Sequence, residues 1–69
     1  MEISFKLRGE YIELIKVLKA TGIADTGSMA QELVEDKRVK VNGILETRKR
    51  AKLKPNDVVS FGGETIKIQ

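Results

Sequence analysis

Residues 37–54 read KRVKVNGILETRKRAKLK, and the hairpin within this stretch decides the sheet around which the rest of the chain is arranged. Apolar and basic residues alternate up to the pair Asn42-Gly43. This pair readily adopts positive φ at both central positions of a two-residue turn. The stretch therefore predicts a strand near residues 38–41, a turn at Asn42-Gly43 and a returning strand near residues 44–46.

The same stretch concentrates the positive charge of the chain. Residues 37–54 hold eight of the thirteen Lys and Arg residues and a single acid, Glu46, so their formal charge is +7. The other residues hold five bases and nine acids, a charge of −4, which leaves the net charge of +3. A strand with one apolar face and one cationic face presents an ordered array of positive charge to an anion. Nucleic acid is the partner that this array predicts.

A strand and a helix are predicted before the hairpin. Residues 2–8 alternate between apolar and polar, the period of a half-buried strand, and Gly9 interrupts the pattern. From Glu10 onward, apolar residues recur at i, i+3, i+4 and i+7 and form one helical stripe that begins at Tyr11. Gly22 lies where a glycine commonly ends a helix.

A second, shorter helix is predicted over residues 27–36. Thr26 is the preferred N-cap, although Ser28 with Gln31 offers a competing capping box. The apolar face of this helix consists of Ala30, Leu33 and Val34. Because the helix is short, we expect it to depend on packing against the first one.

The C-terminal part predicts a meander of strands and turns. Residues 47–54 are largely polar and are interpreted as an exposed loop or irregular edge anchored by Ala51 and Leu53. The following elements are a turn at Pro55-Asn56-Asp57, a strand over 58–61, a turn at Gly62-Gly63 and a strand over 65–69. The order β-α-α-β-β-β-β predicts an α+β fold, with two helices packed on a short, mostly antiparallel sheet.

Composition argues against an enzyme. The chain contains no Cys and no His, the residues that most often act as nucleophile, general base or metal ligand. No activating partner can be identified for Ser4, Ser28 or Ser60. We therefore expect no catalysis, no cofactor and no metal.

Size and hydropathy predict a single cytoplasmic domain over residues 1–69. A chain of 69 residues builds one small core. No apolar run approaches the ~18 residues of a membrane span, and MEISFKLRGE lacks the apolar segment of a signal peptide. We expect a monomer that does not associate with membranes.

Aromatic residues are scarce, being limited to Phe5, Tyr11 and Phe61. Each shares a face with apolar residues, which favours core packing over base stacking. Without stacking platforms, recognition of structured RNA through its shape and phosphates fits the composition better than binding of single strands.

Residues 11–61 resemble the RNA-binding domain named after the small-subunit ribosomal protein S4, which is built on a helix-helix-hairpin unit called the αL motif. The most specific part is Val-Lys-Val-Asn-Gly at 39–43, followed by Pro55-Asn56-Asp57. Other matching positions are Leu14, Leu18, Gly22 and Ala30. Residues 46–50, ETRKR, resemble the small stand-alone bacterial members. The resemblance implies an RNA-binding surface formed by the two helices and the hairpin.

The sequence departs from this family pattern at three places. Many members begin helix one with Arg-Leu-Asp and helix two with Ser-Arg, where this chain has Glu13-Leu14-Ile15 and Thr26-Gly27. Lys37 replaces the glycine that precedes the hairpin. These departures shift the expected RNA contacts toward the hairpin and the basic loop that follows it.

Together, charge and resemblance predict a non-catalytic protein that docks structured RNA, either ribosomal or transfer RNA, on a basic face. Asn42 and Gly43 are expected to shape the turn and to offer a backbone contact to RNA. The predicted RNA-binding residues are Lys37, Arg38, Lys40, Asn42, Arg48, Lys49, Arg50 and Lys52. The alternative is a protein-interaction module whose basic face binds an acidic partner in a ribonucleoprotein or a DNA-processing assembly.

Overall fold

The computed structural model describes residues 2–69 and contains two helices and seven strands within them. The elements are β1 (Glu2–Phe5), β2 (Ile12–Glu13), α1 (Leu14–Ala20), α2 (Gly27–Glu35), β3 (Val39–Val41), β4 (Ile44–Leu45), β5 (Lys52–Leu53), β6 (Val58–Phe61) and β7 (Glu64–Ile68). Five strands form one sheet in the order β1-β7-β6-β3-β4, and β2 pairs with β5 in a second, two-stranded sheet.

The predicted α+β fold is confirmed. Within the larger sheet, β1 runs parallel to β7, whereas the other neighbouring strands are antiparallel. The hairpin has the predicted turn, since Asn42 and Gly43 have φ values of 53° and 81°. Both values are positive, as a type I′ turn requires. The last two strands are joined at Gly62-Gly63, also as predicted.

The core lies between the two helices and one face of the larger sheet. Leu14, Val17 and Leu18 of α1 are completely buried. The other core residues are Ala24, Ala30, Leu33, Val34, Val39, Ala51, Leu53, Val59, Ile66 and Ile68. Full burial of one aliphatic side chain contributes roughly 1.5–3 kcal/mol. This packing fixes the backbone from which the exposed basic side chains project.

The predicted start of the first helix is wrong. The helix begins at Leu14 rather than near Glu10, because Ile12–Glu13 pairs with Lys52–Leu53 as a short antiparallel ladder. The Leu14 amide donates a hydrogen bond of 2.9 Å to the carbonyl of Ala51, which extends this contact. The ladder adds β2 and β5 to the predicted order of elements.

The ladder also corrects the interpretation of residues 47–54 as a loop or irregular edge. Residues 52–53 form β5, while the predicted anchors Ala51 and Leu53 are both buried. Burial of these two side chains draws the basic segment against the start of α1. The backbone that carries its cations is therefore held at several points.

The ends of the helices follow the local signals. The Thr26 hydroxyl accepts a hydrogen bond of 3.1 Å from the Met29 amide, so Thr26 rather than Ser28 caps α2. Gly22 has φ 84° directly after the C-cap of α1, as the sequence predicts. The helices contain seven and nine residues, and neither helix of residues 2–69 is long and apolar enough to cross a membrane.

Candidate nucleic-acid interface

The hairpin turn is clamped to the turn at residues 54–57 through the Asn42 side chain. Its Oδ1 accepts a hydrogen bond of 2.9 Å from the Val58 amide. Its Nδ2 donates to Asp57 Oδ1 at 3.1 Å. The other oxygen of Asp57, Oδ2, accepts a bond of 2.7 Å from the Lys54 amide. The Asn42 amide group is thus used within the fold, which fits the predicted role of shaping the turn.

At the end of α2 the chain turns directly into the hairpin. Lys37 adopts a left-handed conformation with φ 59°. Its amide donates to the Val34 carbonyl at 3.1 Å, and the Arg38 amide donates to the Leu33 carbonyl at 3.2 Å. These two bonds form the Schellman motif, which usually has glycine at the left-handed position. The motif places the exposed side chains of Lys37 and Arg38 between α2 and β3.

The loop after β4 folds back toward the end of α2. The Glu46 amide donates to the Val39 carbonyl at 2.9 Å, which extends the hairpin. Lys49 Nζ then lies 3.2 Å from Glu35 Oε2 at the last turn of α2. The loop therefore brings Lys49 and its neighbour Arg48 close to the helix end that carries Lys37.

Two cations of this loop are already paired with carboxylates. Besides the pair of Lys49 with Glu35, Arg48 Nε lies 3.1 Å from Glu46 Oε1. The hydrogen bond from Arg48 lowers the pKa of the Glu46 carboxyl, and the same bond raises the pKa of the guanidinium. The Arg48 side chain nevertheless remains 79% exposed. The Lys49–Glu35 pair is exposed at both side chains, and such a pair contributes only about 0–1 kcal/mol, so a phosphate can compete for Lys49.

Four basic residues line one groove of about 460 Å³ beside this loop. The lining residues are Arg48, Arg50, Ala51, Lys52 and Lys54. None of them carries a carboxylate. Leu53 is buried, and the alternation along β5 therefore turns Lys52 and Lys54 to the outside. Neither Arg50 nor Lys54 forms an ion pair within residues 2–69. We refer to this feature as the basic groove.

Lys40 lies apart from the basic groove. Its neighbour Val39 faces the core, so the alternation of β3 directs Lys40 to the opposite face of the sheet. There it lies between Leu45 of β4 and Ser60 of β6. The structure thus gathers most of the predicted cations beside α2 and β5, and it leaves Lys40 on another surface.

Comparison with known sequences identifies the family. The profile of the S4 domain matches residues 5–69. This chain belongs to the S4 domain family. Among curated relatives, YbcJ of Escherichia coli (strain K12) and YbcJ of Shigella flexneri are each 36% identical to this S4 domain over 58 residues. Each match covers 84% of this chain and 83% of the relative.

The solved structure of a relative agrees with this assignment. The solution structure of YbcJ from E. coli, described as revealing an αL motif involved in RNA-binding, has a TM-score of 0.69 and 33% sequence identity. That match covers 97% of this S4 domain and 84% of YbcJ. The crystal structure of the 30S ribosomal protein S4e from Thermoplasma acidophilum has a TM-score of 0.70 at 20% identity. It covers 84% of this chain and 31% of S4e, and shows similarity of fold alone.

Lys54 is the groove residue that the sequence-based site omits. The sequence could have predicted its position, because Lys52-Leu53-Lys54 alternates as a strand with one buried face does. Residues 47–54 are largely polar, however, and this composition favoured a loop over a strand. In this S4 domain, the pairing of β5 with β2 is what brings Lys54 into line with Arg50 and Lys52.

Replacing Lys37 with Gly is expected to stabilise this S4 domain and, if Lys37 contacts RNA phosphate, to weaken RNA binding. A left-handed conformation costs a residue with a side chain about 1–2 kcal/mol, and glycine avoids this cost. Part of the gain is offset because glycine also increases the conformational entropy of the unfolded chain. We expect the free energy of unfolding, measured by urea denaturation, to rise by about 0.5–1 kcal/mol.

The matched control is Lys37→Ala, which removes the charge but retains the strained backbone. If Lys37 contacts phosphate, both variants lose the same several-fold of RNA affinity, and only the Gly variant gains stability. If the RNA affinity of both variants were unchanged, Lys37 would not be part of the RNA interface.

Proposed function

We propose that this S4 domain binds structured RNA, either ribosomal or transfer RNA, through the basic groove and the adjoining basic loop. The observation that carries the proposal is the lining of the groove: it contains four cations, and only Arg48 among them forms an ion pair within residues 2–69. The αL motif of YbcJ, described as involved in RNA-binding, supports the same partner. The interface proposed from the sequence is thereby extended to Lys54.

The groove offers phosphates a preformed array of charge. The burial of Ala51 and Leu53 and the contact of Asp57 with the Lys54 amide hold the backbone in place. Little backbone conformational entropy is then lost on binding. Arg50 can grip one phosphate through two parallel hydrogen bonds, whereas the lysines act as point charges. Each phosphate neutralised also releases condensed counterions, which drives association.

The groove has no aromatic residue among its lining, so it offers phosphate contacts rather than base stacking. Recognition of this kind suits the regular phosphate spacing of a folded RNA. We propose that the domain acts as a cytoplasmic monomer and performs no chemistry on the RNA. With no Cys and no His, the chain lacks the side chains most often used for nucleophilic and acid–base catalysis.

Salt dependence tests this proposal directly. If about 4–6 phosphates are neutralised, log K should fall with log salt at a slope of about −3 to −5. Fluorescence anisotropy with a labelled transfer RNA and a labelled ribosomal RNA fragment, from about 50 to 200 mM salt, measures this slope. An affinity that stays constant over this range would contradict docking on phosphates.

One observation favours a protein partner, at an apolar edge strand rather than at the basic face. Ile44 and Leu45 lie on β4 at the edge of the sheet, and they are 73% and 42% exposed. Exposed apolar residues on an edge strand are common at protein contacts. Affinity capture repeated after nuclease treatment separates the two functions, because a direct protein contact persists once RNA has been degraded.

A further inference from the structure

A second recess lies beside the first strand and the start of α1, outside the basic groove. This cleft has a volume of about 670 Å³, within the range of small-ligand sites in proteins. It is formed where the chain leaves β1, passes Tyr11 and enters β2. None of its lining residues belongs to the basic stretch 37–54.

Tyr11 is a wall of this cleft, and its position corrects the prediction that it packs in the core. The side chain is 46% exposed, because the helix that was expected to bury it begins three residues later. The Lys52 ammonium lies over the ring, 4.8 Å from its centroid. Lys52 lines the basic groove but not the cleft, so the ring of Tyr11 stands between the two.

The other lining residues combine apolar surface with positive charge. Ile12 contributes a half-buried apolar side chain next to the ring. Three exposed cations, Lys6, Arg8 and Lys16, line the same cleft, and none of them forms an ion pair within residues 2–69. Glu13 is the one carboxylate in the lining, so the cleft keeps a positive charge.

This combination fits one nucleotide. An aromatic ring offers a stacking surface to any base, and neighbouring cations neutralise the phosphates on either side of it. The cation–π contact with Lys52 holds the ring from one face. The basic groove has charge without an aromatic residue, whereas the cleft has both. The two sites therefore suit different parts of one RNA.

We propose that the cleft holds a single unpaired nucleotide of the RNA whose folded part occupies the basic groove. The base stacks on Tyr11, and the flanking phosphates contact Lys6, Arg8 and Lys16. Lys52 joins the two sites, since it lines the groove and covers the tyrosine ring. This inference rests on the proposed function, and it adds a requirement for an unpaired nucleotide next to a folded region.

The chain contains one Tyr and no Trp, so its intrinsic fluorescence comes from Tyr11. The probes are a blunt RNA hairpin and the same hairpin with a short unpaired extension at the 3′ end, the 5′ end or both. At low salt, an extended hairpin should bind about tenfold more tightly than the blunt one. It should also quench the tyrosine emission more strongly, because a stacked base lies against the ring.

Two variants complete the test. Tyr11→Leu keeps an apolar side chain and should abolish the tenfold preference, which is read as the ratio of the two affinities because the variant also removes the ring under Lys52. Lys16→Gln should reduce the preference several-fold, whereas Lys67→Gln, the same change outside the cleft, should not. Equal affinity and equal quenching for blunt and extended hairpins would overturn the nucleotide site and leave the proposed function standing. Failure to bind any of the hairpins would overturn both.

Discussion

Replacing Arg50 and Lys54 together with Glu is expected to lower the affinity for structured RNA by about 100-fold or more without changing the fold. Both side chains line the basic groove and neither forms an ion pair within residues 2–69. A hydrogen bond to a charged group contributes about 1.5–3 kcal/mol, so losing two removes at least the ~2.7 kcal/mol that 100-fold represents. Each new carboxylate also repels the phosphates.

Arg50 and Lys54 give a cleaner test than the neighbouring cations. A glutamate at position 48 or 49 would face Glu46 or Glu35, and local repulsion would disturb the loop. Lys52 covers the Tyr11 ring, so its replacement would affect the nucleotide cleft as well. Binding is measured by anisotropy at several salt concentrations, and the slope of log K against log salt should become shallower by about 1.4–1.8.

The charge-matched control is the double variant Lys19→Glu and Lys67→Glu. It changes the net charge by the same amount, but its two positions line neither the groove nor the cleft. Circular dichroism should show both double variants folded, and the control should lose only a few-fold in affinity. If the two double variants lost affinity equally, net charge rather than the basic groove would determine binding.

The features that could be predicted from sequence are those governed by near neighbours. The Asn42-Gly43 turn needs only the tolerance of two adjacent residues for positive φ. The cap at Thr26 depends on one hydrogen bond, to the amide three residues later. The end of α1 at Gly22 depends on the positive φ of that one residue. Each of these signals is complete within about one turn of chain, so the sequence contains all the information that decides it.

The features that could not be predicted depend on contacts between distant segments. Ile12 pairs with Leu53, and this contact decides that the chain around Tyr11 is extended rather than helical. Helical periodicity at positions 11, 14, 15 and 18 was a real pattern, but its first member lies outside the helix. The exposed Tyr11, and with it the nucleotide cleft, followed only from the position of β5.

The sequence predicts how much positive charge residues 37–54 carry, but only partly where the charged side chains lie. The concentration of bases in residues 37–54 is a property of the sequence. The pairing of Lys49 with Glu35 depends on how the loop folds against α2, which no local signal records. The position of Lys40 on the opposite face of the sheet, by contrast, follows from its alternation with Val39 and Val41.

Replacing Asn42 with Ala is expected to remove about 2–3 kcal/mol of stability, because this residue serves the fold in two ways. Its side chain makes two hydrogen bonds, to Asp57 and to the Val58 amide, and each contributes about 0.5–1.5 kcal/mol. Its φ of 53° adds a conformational cost of about 1 kcal/mol once Ala occupies the position. For a domain of this size, the melting temperature should fall by roughly 10–20 °C.

Two glycine variants separate these contributions. Asn42→Gly removes the hydrogen bonds but accepts the left-handed backbone, so it should lose only about 1–2 kcal/mol. Asn56→Gly is the matched control, since Asn56 has φ 80° and its side chain makes no hydrogen bond within residues 2–69. That control should change stability by less than about 0.5 kcal/mol. If Asn42→Gly were as stable as the parent, the contact between the hairpin turn and Asp57 would not hold the two turns together. The joint presence of Val-Asn-Gly and Pro-x-Asp would then need another explanation.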